Sequence, residues 1–249
     1  MTARSRILVL GGTVESVALA KGLADDPRVQ IVTSLAGRNR LYRPPPGPVR
    51  VGGFGGIDGL IAYLRAEAVD LVVDATHPFA ATMAAHAAQA CATVGCPRLK
   101  IVRPPWPEQP GDCWKHVPSV AKAVSLLIGW QGRVFLTLGR QELDTFDGIV
   151  GPVFLARMIE LPAKPPPPYF DVILDRGPFT VESETTLLCD WGVGLIVSKN
   201  SGGEATYAKL IAARQLSIPV IMVARPAMPA GDCVSTAEAA ITWIGNRMS

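Results

Sequence analysis

Two glycines and a threonine follow the first apolar segment of the chain, and such a turn can bind phosphate. Gly11, Gly12 and Thr13 separate a short apolar run from an apolar pattern with helical spacing. Glycines let backbone N–H groups approach a phosphate, and the dipole of the helix favours its negative charge. The dinucleotide fingerprint G-x-G-x-x-G is absent, because the next glycine is Gly22. The turn is therefore interpreted either as an anion site or as a tight turn without a ligand.

Hydroxyl groups and an arginine follow the next apolar segment, in the order Thr33-Ser34-Leu35-Ala36-Gly37-Arg38. Enzymes that use NAD usually place Asp or Glu here to hold the ribose 2′-hydroxyl. Ser34 and Arg38 could instead bind a 2′-phosphate through charge-assisted hydrogen bonds, whereas a carboxylate would repel it. A solvated loop arginine is the alternative. With the glycine turn upstream, the pattern favours NADPH over NADH as the cofactor.

A threonine and a histidine follow a third apolar segment. Thr76 and His77 come before Pro78, and proline at the first helical position is a helix-start signal. Both side chains are thus expected at the carboxyl end of a strand, where open α/β sheets bind ligands. His77 is interpreted either as a turn or cap residue or as a group beside the nicotinamide or the substrate.

A second glycine turn lies near the C-terminus. Lys199 precedes Ser201, Gly202 and Gly203, and a helical pattern follows. A lysine and two glycines at a helix start again form an anion cradle. Ser201 and Glu204 have the spacing of a capping box, so Ser201 is predicted to cap the helix. The alternative is a capped turn with a solvated lysine.

Four arginines end or interrupt predicted strands. They are Arg140, Arg157, Arg176 and Arg225. Any one of them alone is compatible with a surface charge. If several converge on one cleft, they suit a substrate with many carboxylates.

These residues lie at the ends of short apolar segments that alternate with helical patterns. The predicted strands are Ile7–Leu10, Gln30–Thr33, Leu71–Asp74, Leu99–Val102, Val134–Leu138, Val153–Ile159, Val172–Leu174, Leu195–Ser198 and Val220–Val223. Most are continuously apolar, as expected for parallel strands covered on both faces. Strands alternating with helices predict βαβ units and doubly wound parallel sheets. A further edge strand is predicted around His116.

Three proline-rich stretches interrupt this pattern, and the middle one, Arg103–Pro110, lies near the midpoint of the chain. Prolines remove backbone donors and favour extended chain, so we place the domain boundary there. The prediction is an α/β fold with two Rossmann-like domains, each with a mainly parallel sheet flanked by helices. Residues 1–110 form an N-terminal NADP(H)-binding domain, and residues 111–249 form a C-terminal α/β domain.

Composition narrows the classes of function. The chain has 249 residues, 49% of them hydrophobic, and a net charge of +3, which indicates a globular protein whose main partner is not nucleic acid. Its five cysteines contain no CxxC pair, so we expect neither a disulfide framework nor a metal site. No apolar stretch reaches the roughly 20 residues of a membrane span. The first residues lead straight into a strand rather than a signal peptide, and we expect a cytoplasmic protein without a membrane partner.

Taken in order, these motifs resemble the precorrin-6A reductase family of cobalamin biosynthesis, including its cobalt-precorrin-6A branch. The matching segments are Gly11–Ser16, Thr33–Arg38, Asp74–Ala80, Gly139-Arg140, Arg176–Phe179, Ser198–Gly203 and Arg225-Pro226. The ordered set covers nearly the whole chain, and it is more specific than any single motif.

The resemblance implies an NADPH-dependent reductase that binds its cofactor and a tetrapyrrole-like macrocycle between two domains, the second closing the substrate cleft. It implies that precorrin-6A gains a hydride at one ring carbon and a proton at its neighbour, giving precorrin-6B. The cofactor residues that it implies are Gly11, Gly12, Thr13, Ser34, Gly37, Arg38, Thr76, His77, Lys199, Ser201, Gly202 and Gly203. The substrate residues are Phe79, Arg140, Arg176 and Arg225. His77, Lys199, a bound water or a substrate carboxyl group could each donate the proton, so no catalytic residue is predicted.

Two other classes of function are weighed against this one. A non-catalytic NADP(H)-sensing protein would keep the nucleotide turns, but the arginines and the second glycine turn argue against it. A reductase acting on a nucleotide sugar or ketone commonly uses a Tyr-x-x-x-Lys pair. Tyr207 is followed by Lys209 instead, so that interpretation has little support.

Overall fold

The computed structural model describes residues 4–36, 44–161 and 165–248, without the side chains of Arg140 and Gln141. The chain divides into two units, each with one six-stranded sheet in which every strand pair is parallel. Unit 1 comprises Met1–Pro104 and Ala227–Ser249, and unit 2 comprises Pro105–Pro226. The predicted fold class, an α/β fold with two parallel sheets flanked by helices, is confirmed.

Twelve strands and seven α-helices form the described part of the chain. The strands are β1 (Ser5–Leu10), β2 (Val29–Leu35), β3 (Val49–Val51), β4 (Leu71–Asp74), β5 (Arg98–Ile101), β6 (Trp114–Val117), β7 (Gly132–Thr137), β8 (Pro152–Met158), β9 (Phe170–Leu174), β10 (Val193–Lys199), β11 (Val220–Val223) and β12 (Asp232–Val234). The helices are α1 (Val14–Gly22), α2 (Gly56–Ala66), α3 (Ala81–Val94), α4 (Val120–Leu127), α5 (Val181–Asp190), α6 (Ala208–Gln215) and α7 (Ala237–Arg247), with 3₁₀ helices at Arg140–Phe146 and Glu204–Thr206. All nine predicted strands overlap observed ones.

Unit 1 orders its strands β12-β5-β4-β1-β2-β3. Alternate side chains of the central strands serve two cores, since neighbouring residues of a strand point to opposite faces. Ile7 and Val9 pack with α1 and α7 on one face, whereas Leu8 and Leu10 pack with α2 and α3 on the other. Covering both faces explains why Ile7–Leu10 of β1 and Leu71–Val73 of β4 are continuously apolar.

Unit 2 orders its strands β6-β11-β10-β7-β8-β9. This is the arrangement of unit 1, with β7 and β10 in the places of β1 and β4. Five strands of each sheet therefore share the order 3-2-1-4-5 of a dinucleotide-binding fold. The sixth strand is the difference: β6 precedes the rest of its sheet in the chain, whereas β12 follows the rest of its own. The predicted edge strand at His116 is confirmed as β6.

The C-terminal segment departs from the predicted domain of residues 111–249. Strand β12 pairs with β5, and α7 buries Ala240 and Ile244 in the core that contains Ile7. The predicted boundary near residue 110 also lies too late, because the buried ring of Trp106 packs in the core of unit 2. The chain thus leaves unit 1, forms unit 2, and returns to complete the first sheet.

None of the helices in the described residues is long and apolar enough to cross a membrane.

Three charged residues of unit 2 are buried in the part of the chain that the structure describes. Arg157 and Glu184 form a buried ion pair. Lys209 is 3% exposed, and its Nζ donates a hydrogen bond to the Thr206 carbonyl over 2.7 Å. Burial, with the charge of Arg157 as the second cause, lowers the pKa of Lys209 to about 7, against the opposing effect of Glu184. A buried ammonium without its own carboxylate costs free energy in the folded state.

Replacement of Lys209 by methionine is expected to remove a pH dependence of stability. Because the pKa of Lys209 falls from 10.5 unfolded to about 7 folded, the unfolded chain binds more protons between these values. The stability of the wild type should therefore rise with pH relative to Lys209→Met in that window, by at most about 1.4 kcal/mol per pH unit. Urea unfolding at several pH values measures this difference, with the exposed Lys122→Met as control. If the difference in the free energy of unfolding between the wild type and Lys209→Met does not change with pH, the lowered pKa of Lys209 is contradicted.

Truncation of Ile244 tests whether α7 completes unit 1. Ile244 is fully buried in α7, so Ile244→Ala should lower the free energy of unfolding by about 2–5 kcal/mol. Ile128→Ala is the matched control, because Ile128 is 74% exposed and its truncation should cost less than about 0.5 kcal/mol. Urea unfolding followed by circular dichroism reports the effect. Equal stability of the two variants would argue against the placement of α7.

Candidate functional site

The first glycine turn of unit 1 needs glycine at both positions for different reasons. Gly12 has a φ of +114°, a backbone conformation that residues other than glycine rarely adopt. At Gly11, an added Cβ would lie 2.9 Å from Thr33 Cγ2 and 3.2 Å from Leu35 Cδ2. An added Cβ at Gly12 would meet no atom within 4 Å. The turn therefore packs closely on β2 at one glycine and faces open space at the next.

The N-terminus of α1 is held in place by its own side chains. Thr13 caps the helix and forms a capping box with Ser16, at 3.3 Å in each direction. The Thr13 hydroxyl also donates to the Ala75 carbonyl over 2.7 Å, which ties the turn after β1 to the segment after β4. Within the described residues, no hydrogen bond uses the N–H groups of Val14 and Glu15. These two donors are available to an anion at the positive end of the helix.

A carboxylate in the first turn of α1 is neutralised by an arginine of the same unit. Glu15 would repel a phosphate at this helix start, but Arg103 Nη1 lies 3.1 Å from each of its carboxylate oxygens. Both side chains are 17% exposed, so solvent screens the pair only in part. The ion pair leaves the helix N-terminus without a net negative side chain.

The end of β2 places Ser34 beside Arg50, which was not among the predicted site residues. Ser34 is buried, and Arg50 occupies the opposite position on β3. Arg50 Nη1 lies 3.4 Å from Ser34 Oγ. Gly37 and Arg38 lie outside the described residues. A three-residue strand with the pattern Val-Arg-Val carried too weak a signal to place Arg50 at this position.

A buried ion pair fixes Thr76 at the end of β4. Lys100 Nζ lies 2.9 Å from Asp74 Oδ1, and both side chains are almost fully buried. The Thr76 hydroxyl donates to the same oxygen over 2.7 Å, and Lys100 Nζ also donates to the Thr76 carbonyl over 3.2 Å. This pair was not predicted, although the charge of Lys100 inside the apolar run Leu99–Ile101 was a usable signal.

His77 lies in a turn before α3 rather than in the first turn of the helix. The helix begins at Ala81, and the Ala80 N–H closes a turn on the His77 carbonyl at 2.8 Å. The predicted helix start at Pro78 is therefore wrong by one turn. His77 Nδ1 accepts a hydrogen bond from the Phe79 N–H over 3.2 Å, so the proton of the neutral imidazole lies on Nε2. The two rings are 5.9 Å apart.

The predicted site residues described in unit 1 lie at the end of β2 or after the ends of β1 and β4. Strand order reverses between β1 and β4, since β2 lies on one side of β1 and β4 on the other. Such a reversal opens a crevice at the carboxyl ends of the strands, where ligands of doubly wound sheets bind. The structure thus places Gly11, Gly12, Thr13, Thr76 and His77 after the carboxyl ends of the neighbouring strands β1 and β4, with Ser34 one strand away on β2.

Unit 2 has the same reversal between β7 and β10, and an ion pair lies there. Lys199 ends β10, and its Nζ pairs with Glu142, which follows β7 in the 3₁₀ helix. The side chains are 13% and 26% exposed, so both reach solvent. Glu142 was not among the predicted site residues, because no motif marks it.

Arg225 and Asn200 support the glycine turn that follows β10. Arg225 donates from Nε to the Asn200 carbonyl over 2.8 Å and from Nη2 to the Ser201 carbonyl over 3.0 Å. The Asn200 side chain accepts from the Trp106 N–H over 2.8 Å and donates to the Trp106 carbonyl over 3.1 Å. Gly202 and Gly203 have φ values of 68° and 81°, which only glycine adopts readily.

The prediction that Ser201 caps a helix is wrong. Gly203 precedes a 3₁₀ helix of three residues, and no side chain caps it. Helix α6 begins only at Ala208. The two left-handed glycines turn the chain before any helix starts, so the capping-box spacing of Ser201 and Glu204 was not used.

The arginines of unit 2 do not form one cluster. Arg157 is buried with Glu184, whereas Arg225 supports the turn after β10. Arg176 is exposed and follows β9, four strand spacings from the end of β11, or about 19 Å. The side chain of Arg140 lies outside the described part of the structure. Arg225 alone among the described members of this group contacts the turn at Lys199.

Comparison with known proteins gives the family. A family model described as precorrin-6x reductase CbiJ/CobK matches residues 6–245. The precorrin-6A reductase of Rhodococcus erythropolis is 48% identical over 242 residues, which cover 97% of this chain and 98% of that protein. The precorrin-6A reductase of Rhodobacter capsulatus is 46% identical over 243 residues, covering 97% and 96%.

A solved structure described as CobK precorrin-6A reductase has the same fold. It is 46% identical in sequence, superposes with a TM-score of 0.90, and is matched over 97% of this chain and 96% of its own. The chain therefore belongs to the precorrin-6x reductase CbiJ/CobK family.

Proposed function

We propose that the chain reduces one double bond of precorrin-6A with NADPH to give precorrin-6B. The observation that carries the proposal is its similarity, over nearly the full length, to relatives named precorrin-6A reductase. The reaction adds a hydride to one ring carbon and a proton to the neighbouring carbon, so the product contains two more hydrogens than the substrate.

Unit 1 holds the cofactor in this proposal. A pyrophosphate would fit at the start of α1. The N–H groups of Val14 and Glu15 have no acceptor among the described residues, and the space that a Cβ of Gly12 would enter is open. The nearly buried Ser34 follows on the next strand, with no carboxylate of its own segment to oppose a 2′-phosphate. Thr76 and His77 lie across the crevice from this turn, where the rest of the dinucleotide would extend. When bound, NADPH supplies the hydride.

Unit 2 supplies charge for the carboxylates of the macrocycle. Lys199 is an ammonium at the strand reversal, and Glu142 restrains its direction. Arg176 and Arg140 remain the proposed substrate arginines of unit 2, and Phe79 remains the proposed substrate residue of unit 1. Arg225 acts through the turn that it supports, since two of its nitrogens already bond backbone carbonyls.

The proton has two candidate donors among the described residues. His77 could donate from Nε2 only as an imidazolium, whose Nδ1 would also carry a proton and would give up the hydrogen bond from the Phe79 N–H. Lys199 is the other, with its ammonium beside Glu142. Each is partly exposed, so each can exchange protons with water between turnovers.

A turnover assay tests this function directly. The purified chain is mixed with NADPH and fresh precorrin-6A, while the near-ultraviolet absorbance of NADPH and the mass of the macrocycle are followed. We expect one NADPH to be oxidised for each macrocycle that gains two hydrogens. NADPH binding without oxidation would instead favour the non-catalytic sensor and would overturn the reductase.

Substitution of Gly12 tests the cofactor turn. Gly12→Ala introduces a Cβ at a φ of +114° into the open space before the turn, so NADPH binding should weaken by about tenfold or more. Gly95→Ala is the matched control, because Gly95 also has a positive φ of 72° and no atom within 4 Å of the added Cβ. Each change should cost about 1–2 kcal/mol of stability from backbone strain. Equal NADPH affinities of the two variants, measured by fluorescence titration, would remove the turn from the site.

A further inference from the structure

Arg50 brings a positive charge to the strand next to the cofactor turn. It lies on β3 opposite Ser34 of β2, and β2 in turn lies beside β1. The carboxyl ends of these parallel strands share one edge of the sheet, so Arg50 and the Gly11–Thr13 turn belong to the same edge. Ser34 lies between them, and its Oγ is 3.4 Å from Arg50 Nη1.

The guanidinium of Arg50 is held in one position from several sides. Its Nη1 donates to the Gly52 carbonyl over 2.6 Å, and its Nη2 donates to the Gly53 carbonyl over 2.7 Å. Its Cζ lies 3.9 Å from the centre of the Phe54 ring and 5.3 Å from that of Tyr63. A donor fixed in this way loses little freedom when it binds an anion, which favours binding.

The charge of Arg50 has no carboxylate partner within the described residues, although the side chain is partly buried. Arg6 and Arg103 of the same unit, by contrast, pair with Glu67 and Glu15. The hydrogen bonds of Arg50 also leave its Nε–H and one hydrogen of Nη2 without an acceptor in that part of the chain. A partly desolvated cation with two unused donors is suited to an anionic ligand.

We propose that Arg50 binds the 2′-phosphate of NADPH and thereby determines the preference for NADPH over NADH. In doubly wound sheets, the residues that end the strand beside β1 contact the ribose of the adenosine, and an arginine nearby accommodates a 2′-phosphate. Ser34 supplies a hydroxyl at the same place. The inference rests on the proposed function, because it requires a dinucleotide on unit 1, and it adds a residue to the predicted Ser34 and Arg38.

Nucleotide titrations of the full-length chain test the assignment. Kd values for NADPH and NADH are measured by fluorescence for the wild type, Arg50→Gln, Arg50→Lys and the control Arg65→Gln, which changes an exposed arginine of α2. Arg50→Gln should raise the Kd for NADPH by about 10- to 100-fold and change that for NADH by less than about twofold. Arg50→Lys keeps the charge but loses the planar fork, so its loss should be intermediate. Arg65→Gln should match the wild type.

Competition with adenosine 2′,5′-bisphosphate and adenosine 5′-monophosphate locates the effect on the 2′-phosphate. Arg50→Gln should weaken the binding of the bisphosphate and leave the affinity for the monophosphate unchanged. Unchanged NADPH affinity in Arg50→Gln would overturn the inference. Equal losses of NADPH and NADH affinity in a variant with an unchanged circular dichroism spectrum would also overturn it, because Arg50 would then act on a part that both dinucleotides share. A wild type that binds neither dinucleotide would instead overturn the proposed function itself, which is a separate result.

Discussion

The reversal of strand order in each sheet determines where the candidate groups can lie. Crossovers between parallel strands are right-handed, so the connections that leave β1 towards β2 and β3 towards β4 cover opposite faces of the sheet. In unit 1, α1 packs on one face and α2 and α3 on the other, as the two core clusters show. The loops after β1 and β4 therefore lead to helices on opposite faces of the sheet, and such a reversal is where doubly wound folds bind ligands. Unit 2 repeats this geometry at β7 and β10.

Each unit has an ion pair at this reversal, but the two pairs differ in burial and therefore in whether a ligand can reach them. Asp74 and Lys100 are almost completely buried, and removal of either partner would leave a charge in the core. Their role is to hold Thr76, since Asp74 Oδ1 accepts its hydroxyl and Lys100 donates to its carbonyl. Lys199 and Glu142 retain some exposure, so a bound carboxylate can compete for the ammonium. The first pair is therefore structural, whereas the second is available to a ligand.

Much of this arrangement could be predicted from the sequence, because parallel strands covered on both faces leave continuous apolar runs. The bounds of β4 and β11 agree with the predicted segments residue for residue. The edge strands β3 and β12 did not stand out, since Val-Arg-Val and Asp-Cys-Val are short and contain a charged or polar residue. The partner of α7 could not be predicted either. An amphipathic helix shows which of its faces is buried, and both cores are apolar enough to receive it.

Side-chain roles were harder to predict than strands, because they depend on partners distant in the sequence. The sequence did not indicate that Arg157 is neutralised, because its partner Glu184 lies 27 residues further along the chain. The role of Arg50 could not be predicted, because its neighbours lie in different elements. Ser34 is on β2, whereas Phe54 and Tyr63 follow β3 in the chain. Local spacing predicts where a strand ends. It does not predict which charge is neutralised there.

The two glycine turns have similar sequences but offer an anion different groups. After Gly12, helix α1 begins within two residues, so its N–H groups and dipole act directly on a ligand at the turn. After Gly203, only a three-residue 3₁₀ helix follows, and α6 begins at Ala208. The second turn lacks the aligned peptide dipoles of the first, and its positive charge comes from the Lys199 side chain. A backbone cradle suits the pyrophosphate of a dinucleotide, whereas a lysine suits the carboxylates of a macrocycle. This difference favours a division in which unit 1 binds NADPH and unit 2 binds the substrate.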